Sequence, residues 1–195
     1  ITALFVTHAH RDHAGAVGEF QKRHASTPIY ATRATCALMG APGAQDDVLA
    51  TADTSALEPT DTHTWFSLAD GLEAALTPAG HVVGAAAVSL RGPDATPVLY
   101  CPDVAVAAHR TVGPFEAPEG FKPAVVVVGA AGGDRVHDGR KRMERSLVDA
   151  VADVVRDGGR AVVVAGPFGR AQEMLLAIKS SMMSGQTPRY AVCAG

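Results

Sequence analysis

The segment Thr7-His8-Ala9-His10-Arg11-Asp12-His13 places three imidazoles and a carboxylate within six residues, directly after the apolar run Leu4-Phe5-Val6. Imidazole nitrogens and carboxylate oxygens are donors that suit zinc where no thiolate is at hand. In an extended chain residues two apart point the same way, so His8 and His10 can grip one ion together. Asp12 and His13 fall where a helix would begin, and from there they can turn toward a second ion. Cys36, Cys101 and Cys193 are widely spaced with no C-x-x-C pair, which suggests neither a thiolate zinc site nor a disulfide framework. No Ser- or Cys-based catalytic triad is recognisable.

Presenting such ligands requires a strand that ends at the motif and a helix that starts after it. Residues 2–7 are β-branched and apolar, and residues 14–24 carry helical spacing, which predicts strand, loop and helix. A short strand around Ile29 and Tyr30 follows Pro28, then a helical stretch over residues 32–39 that Gly40 and Pro42 end. Residues 41–60 are mostly small, polar or acidic without a period, and read as a long loop. Strands are expected at 65–68, 72–76, 86–90 and 98–101, separated by turns at Gly71, Pro78-Ala79-Gly80 and Gly92-Pro93-Asp94. That stretch is antiparallel in character. After Pro123 the pattern becomes a strand (124–128), a long helix (138–157), a strand (161–164), a helix (170–183) and a strand from about Arg189. Such alternation predicts parallel βαβ units.

The 195 residues, 47% of them hydrophobic, suffice for one substantial core or for one domain and part of another. No apolar run approaches the roughly 20 residues a membrane-spanning helix needs, so no membrane partner is expected. The opening residues lack the basic region of a secretory signal, which makes the cytoplasm the expected location. A net charge of -3 gives no global attraction to nucleic acid, so such a substrate must be argued from motifs. His24, His63 and His109 match no motif and read as surface or turn residues, Trp65 and Phe66 as strand packing, and Met174, Met182 and Met183 as helix packing or helix ends.

His8, His10, Asp12 and His13 match the H-x-H-x-D-H signature of metallo-β-lactamase-fold hydrolases, and the chain resembles that family. Two further elements follow in the family's order: Pro78-Ala79-Gly80-His81-Val82-Val83-Gly84-Ala85 looks like its third His motif, and Leu99-Tyr100-Cys101-Pro102-Asp103 like the strand ending in its metal-bridging Asp. The resemblance implies that His8, His10 and His81 hold one ion, that Asp12 and His13 contribute to another, and that Asp103 lies between them. Two zinc ions, or manganese or magnesium in their place, would lower the pKa of a shared water so that it attacks as hydroxide. Asp12 and Asp103 would be the catalytic carboxylates.

Gly133-Asp134-Arg135-Val136-His137 before a charged helix, then Gly158-Gly159-Arg160-Ala161-Val162-Val163-Val164, then Gly169-Arg170-Ala171-Gln172-Glu173, is similar to the β-CASP nuclease branch, which includes ribonuclease J and the endonuclease of mRNA cleavage and polyadenylation. A helix opening beside Arg170 can receive a phosphate, and Arg135 and His137 could act likewise. The resemblance implies a four-layer αββα sandwich over residues 1–137, incomplete because the fold's opening strands would precede Ile1. It also implies the start of a β-CASP α/β domain over 138–195, continuing beyond Gly195. RNA is the implied substrate ahead of DNA; the oligomeric state is left open. Where β-CASP proteins carry an acidic residue at the end of the strand before the G-D-R-x-H segment, this chain has Gly129. A hydrolase of small esters or thioesters would share every metal ligand, and a non-catalytic β-CASP-like scaffold would accommodate Gly129.

Overall fold

The computed structural model describes residues 1–41, 51–136 and 138–194, and the chain divides into two compact units, Ile1–Ala131 and Gly132–Gly195. The division falls ahead of the domain boundary read from the sequence. In the first unit β1 (Leu4–Val6), β2 (Ile29–Thr32) and β3 (Leu57–Thr60) form a parallel sheet in that order. A second sheet runs β4 (Trp65–Ser67), β5 (Glu73–Pro78), β6 (Ala86–Arg91), β7 (Val98–Cys101) and β8 (Val125–Val128), antiparallel as far as β7 and parallel between β7 and β8.

The two sheets meet through the side chains that alternate inward. Phe5 of β1 packs on Leu76, Ala86 and Val88, and its ring lies 5.5 Å from Tyr30 and 6.4 Å from Phe66. Three aromatic rings thereby bridge the sheets near the start of the metal-binding motif, each contributing large apolar area. The opposite face of the second sheet carries Ala87, Leu99 and Cys101, covered by Val104, Phe115 and Phe121. Phe121 also packs on Trp65, whose other contact is the Arg91 guanidinium at 3.8 Å from its ring centroid. Trp65 and Phe66 thus pack in the strand, as expected.

The α/β class and the two-sheet core follow the sequence reading, and in the first unit three local features differ from it. The helix expected over 14–24 is two pieces, α1 (Arg11–Ala14) and α2 (Val17–Arg23). The stretch read as a loop contains a 3-10 turn, Thr54–Ala56, and strand β3; residues 42–50 of that stretch lie outside the described residues. Pro59 is tolerated in β3 because the strand is at the sheet edge, where a missing N–H costs no ladder bond. Among the described residues of the first unit the outer face of the five-stranded sheet is covered by an irregular segment rather than a helix layer.

In the second unit α4 (Arg140–Arg156) and α5 (Arg170–Met183) pack through Val148, Ala177, Ile178 and Met182. The segments expected as strands at 161–164 and from Arg189 form no ladder among the described residues; Val162 and Val164 are 88% and 92% exposed. Apolar β-branched composition favours extension, but a strand exists only where a neighbour completes its hydrogen bonds. Met183 is exposed at the end of α5.

Leu76 is 2% exposed between the sheets, whereas Val127 on β8 is 45% exposed. Leu76→Ala should therefore cost about 2–5 kcal/mol of stability, while Val127→Ser should change it by no more than roughly 0.5 kcal/mol. Urea midpoints of the two variants test this, and equal losses would show that the core has been misplaced.

Candidate metal centre

β1 stops at Val6, and the two residues that follow are already buried: Thr7 at 7% and His8 at 0% exposure. His8 Nε2 lies 3.2 Å from His10 Nδ1, which in turn lies 3.2 Å from His81 Nε2. His81 is carried by the turn between β5 and β6, and its Nε2 is 3.5 Å from Asp103 Oδ2, on the chain leaving β7. Donor atoms of His8, His10, His81 and Asp103 all fall within 4.8 Å of one another. Asp12 and His13 stand on α1 beside them, with His13 Nε2 3.8 Å from Asp103 Oδ2 and 3.4 Å from Asp12 Oδ2.

The donor set fits a tetrahedral cation. Ligand nitrogens about 2.0–2.1 Å from zinc stand roughly 3.3 Å apart at a tetrahedron's edge, close to the 3.2 Å contacts between the imidazoles here. His10 Nδ1 faces two other ring nitrogens at once, so a single proton on that atom cannot bridge both contacts linearly. Burial, reinforced by the neighbouring imidazoles of His13, His10 and His81, pushes the His8 pKa down to about 3. Burial also lowers that of His81, against the opposing pull of Asp103. These rings are held neutral, the state a metal requires. Thr7 Oγ1 lies 3.2 Å from His8 Nδ1, so that with Nε2 facing the cluster the other ring N–H can donate to the hydroxyl and fix the tautomer.

Backbone contacts bring the three carrying segments together. Ala86 N–H donates to Thr7 O at 2.9 Å, joining the start of β6 to the residue before His8. Ala105 N–H donates to Ala79 O at 3.0 Å, joining the Asp103 segment to the His81 turn. Gly80 has φ +74°, and a Cβ there would stand 2.4 Å from Phe115 N and 2.5 Å from Ala105 O, so only glycine permits the approach. Gly129 lies at the end of β8, where a Cβ would come 3.6 Å from Asp103 Oδ1; a side chain at this position would border the site carboxylate.

The cluster joins residues 71 positions apart, His10 and His81, that the sequence connected only through family likeness. The suggested phosphate contacts belong to the second unit. Arg135 pairs with its neighbour Asp134 at 3.6 Å, and Arg170 is exposed at the first turn of α5. His137 lies outside the described residues. The Gln and Glu of the G-R-x-Q-E start have structural partners: Gln172 accepts from Gly169 N–H and donates to Pro167 O, both at 2.8 Å, while Glu173 is bound by Arg140 of α4. His24 stacks on Phe20, and His63 pairs with Glu116 at 3.2 Å. His109, which no motif singled out, is near enough to His81 for its charge to lower that ring's proton affinity. Nothing in its sequence context, which lacks a motif, could have announced this.

Three histidines and an aspartate at the ends of strands in a two-sheet α/β unit form a donor set that could hold a metal ion. The chain belongs to the metallo-beta-lactamase superfamily, whose sequence model matches residues 1–179. It is 26% identical to an RNase J-like protein of Methanocaldococcus jannaschii over 95% of its own length and 45% of the relative's. It is 28% identical to cleavage and polyadenylation specificity factor subunit 3-I of Arabidopsis thaliana, covering 90% of this chain and 27% of that one. It is 29% identical to a ribonuclease of Thermus thermophilus, covering 90% of this chain and 42% of the relative. The chain thus spans less than half the length of these relatives, whose names are those of the nuclease branch it resembles.

Removing one of the convergent imidazoles should empty the centre: His10→Ala is expected to lose zinc that the wild-type chain retains after dialysis, measured by elemental analysis. Undiminished zinc would refute the ligand set. The metal-free chain should also lose stability as pH falls from about 6.5 toward 3. The unfolded chain takes a proton on His8 in that window and the folded chain does not, so stability rises with pH there. Melting temperatures between pH 7 and pH 4 test this, and His8→Gln should flatten the slope.

Proposed function

We propose that this chain carries the metal centre of a phosphodiesterase that cuts RNA with two divalent cations, zinc ahead of manganese or magnesium. The observation that carries the reading is the convergence of His8, His10, His81 and Asp103 on one point, with Asp12 and His13 beside it. The relatives' names support RNA ahead of DNA. In this reading His8, His10 and His81 hold one cation, Asp12 and His13 contribute to the second, and Asp103 lies between the two groups. Such cations, when bound, lower the pKa of a water and stabilise charge on the attacked phosphoryl group. Asp12, whose carboxylate is largely exposed beside His13, takes up the proton released at the attacking oxygen. Asp103 contacts both His13 and His81 and keeps the two halves of the site in register.

The second unit, in the same reading, opens a β-CASP domain over residues 138–195 and supplies the phosphate contacts Arg135, His137 and Arg170. Arg170, exposed at the first turn of α5, offers a phosphate a full charge beside the positive end of the helix dipole.

A thioester hydrolase would use the same ligands, so the decisive comparison sets end-labelled RNA against single-stranded DNA and a small thioester, each with zinc or manganese supplied to the protein that contains this chain. RNA should be cut, chelation should stop the cutting, and Asp12→Ala should slow it by roughly 10²–10⁴. Thioester turnover without RNA cleavage, or cleavage insensitive to chelation, would sink the assignment.

A further inference from the structure

Outside the ligand cluster the most tightly organised polar group in the first unit is a pair of buried threonines. Thr32 closes β2 and caps α3 (Arg33–Met39) by accepting from Thr35 N–H at 3.1 Å. A capping threonine needs no further partner, yet both hydroxyls have one. Thr35 Oγ1 donates to Gly84 O at 2.9 Å, and Thr32 Oγ1 lies 2.7 Å from the same oxygen and 3.0 Å from Thr35 Oγ1, so that its single proton serves one of the two. Thr35 is 0% exposed and Thr32 5%. One backbone carbonyl is therefore held by two hydroxyls of a neighbouring element at a part-buried position.

That carbonyl belongs to the turn that bears His81. Ala79 N–H donates to Ala85 O at 2.8 Å and Ala85 N–H to Val82 O at 3.0 Å, closing the turn on itself. Gly84 sits at φ +81°, and a Cβ there would stand 2.7 Å from both Thr35 N and Thr35 Oγ1. The glycine lets the start of α3 approach the turn, and the two hydroxyls lock the approach. The turn's other attachments are the backbone bonds of Ala79 O and Ala86 N at its ends and the packing of Val82 with Ala79, Ala85 and Val104. Without the threonines its outer limb, from Val82 to Gly84, would lack these two side-chain anchors.

We propose that Thr32 and Thr35 are positioning residues for the metal centre: by holding Gly84 O they fix the turn that aims His81 Nε2 at His10 Nδ1. The inference rests on the metal-centre reading. A ligand on a turn that wanders forfeits affinity, because ordering it must then be done by the ion; loss of support behind a ligand typically lowers metal affinity about 10–100-fold.

The test is zinc affinity, measured by competition with a chromophoric chelator, together with the visible spectrum of the cobalt-substituted chain. Thr35→Val keeps the side-chain volume and removes the donor; it and Thr32→Val should weaken zinc binding about tenfold or more and alter the cobalt bands. Thr35→Ser, which keeps the hydroxyl, should stay within a few-fold of the wild type. Ser89→Ala serves as the control, since Ser89 is a fully buried hydroxyl on β6 with no hydrogen-bond partner among the described residues, and its removal should leave metal affinity unchanged. Circular dichroism of each metal-free variant confirms folding, and should Thr35→Val fail to fold, Thr32→Val decides by the same measurements. Wild-type affinity and an unaltered cobalt spectrum in folded Thr35→Val and Thr32→Val would overturn the proposal while leaving the metal centre standing. A wild-type chain that takes up no zinc would overturn both.

Discussion

Three imidazole nitrogens meet at 3.2 Å contacts around His10 Nδ1, an arrangement that neutral lone pairs resist unless a proton or a cation stands between them. Protonation is the weaker remedy. His8 has no exposed surface, and a charge on its ring would be stranded among three other imidazoles. The site is thus built so that a cation relieves the mutual repulsion, and the cost of assembling it without one falls on the fold. That cost is carried by rigid attachments: β1 enters the sheet beside β2, the following residue accepts from Ala86 N–H, and the Asp103 segment is tied to Ala79.

The ligands are offered from the carboxyl ends of strands β1, β5 and β7, so one end of the two-sheet unit carries all the chemistry. The rule that open α/β sheets bind ligands outside the carboxyl ends of their strands follows from where loops are free to vary without disturbing the core. The three rings of Phe5, Tyr30 and Phe66 then act as the fixed point. They pin β1, through Phe5 between the sheets, a few residues before His8, so a displacement of the core is felt directly in the angle at which His8 and His10 leave the strand.

The parts of this arrangement that were legible in the sequence are those whose signal is local. His8, His10, Asp12 and His13 lie within one short segment, and short apolar runs set off by turn glycines and prolines mark β5 to β8. His81 and Asp103 became visible only through likeness to a family, because nothing in the spacing of single residues reveals which turn a sheet will fold back beside β1. β3 was missed since Leu57-Glu58-Pro59-Thr60 lacks alternation and contains a proline, features an edge strand tolerates and a central one does not. The reverse error occurred at residues 161–164, where composition favours a strand but no neighbour completes the ladder. The Thr32–Thr35 clamp was hidden for a third reason. Its partner is a backbone carbonyl, which every residue possesses and no side-chain pattern can announce.

Charge adds an ordering to the proposed chemistry. The chain carries a formal net charge of -3, and the centre itself contributes two carboxylates, Asp12 and Asp103, on the side open to α1. A polyanionic substrate such as the proposed RNA would meet repulsion at the bare site. Bound divalent cations, as proposed, would reverse the local sign, since a bound ion is the largest charge in such a site. In the proposed reaction His8, His10, His81, Asp12, His13 and Asp103 would hold the cations, which would give an anionic phosphate a favourable charge to approach as well as Lewis acidity.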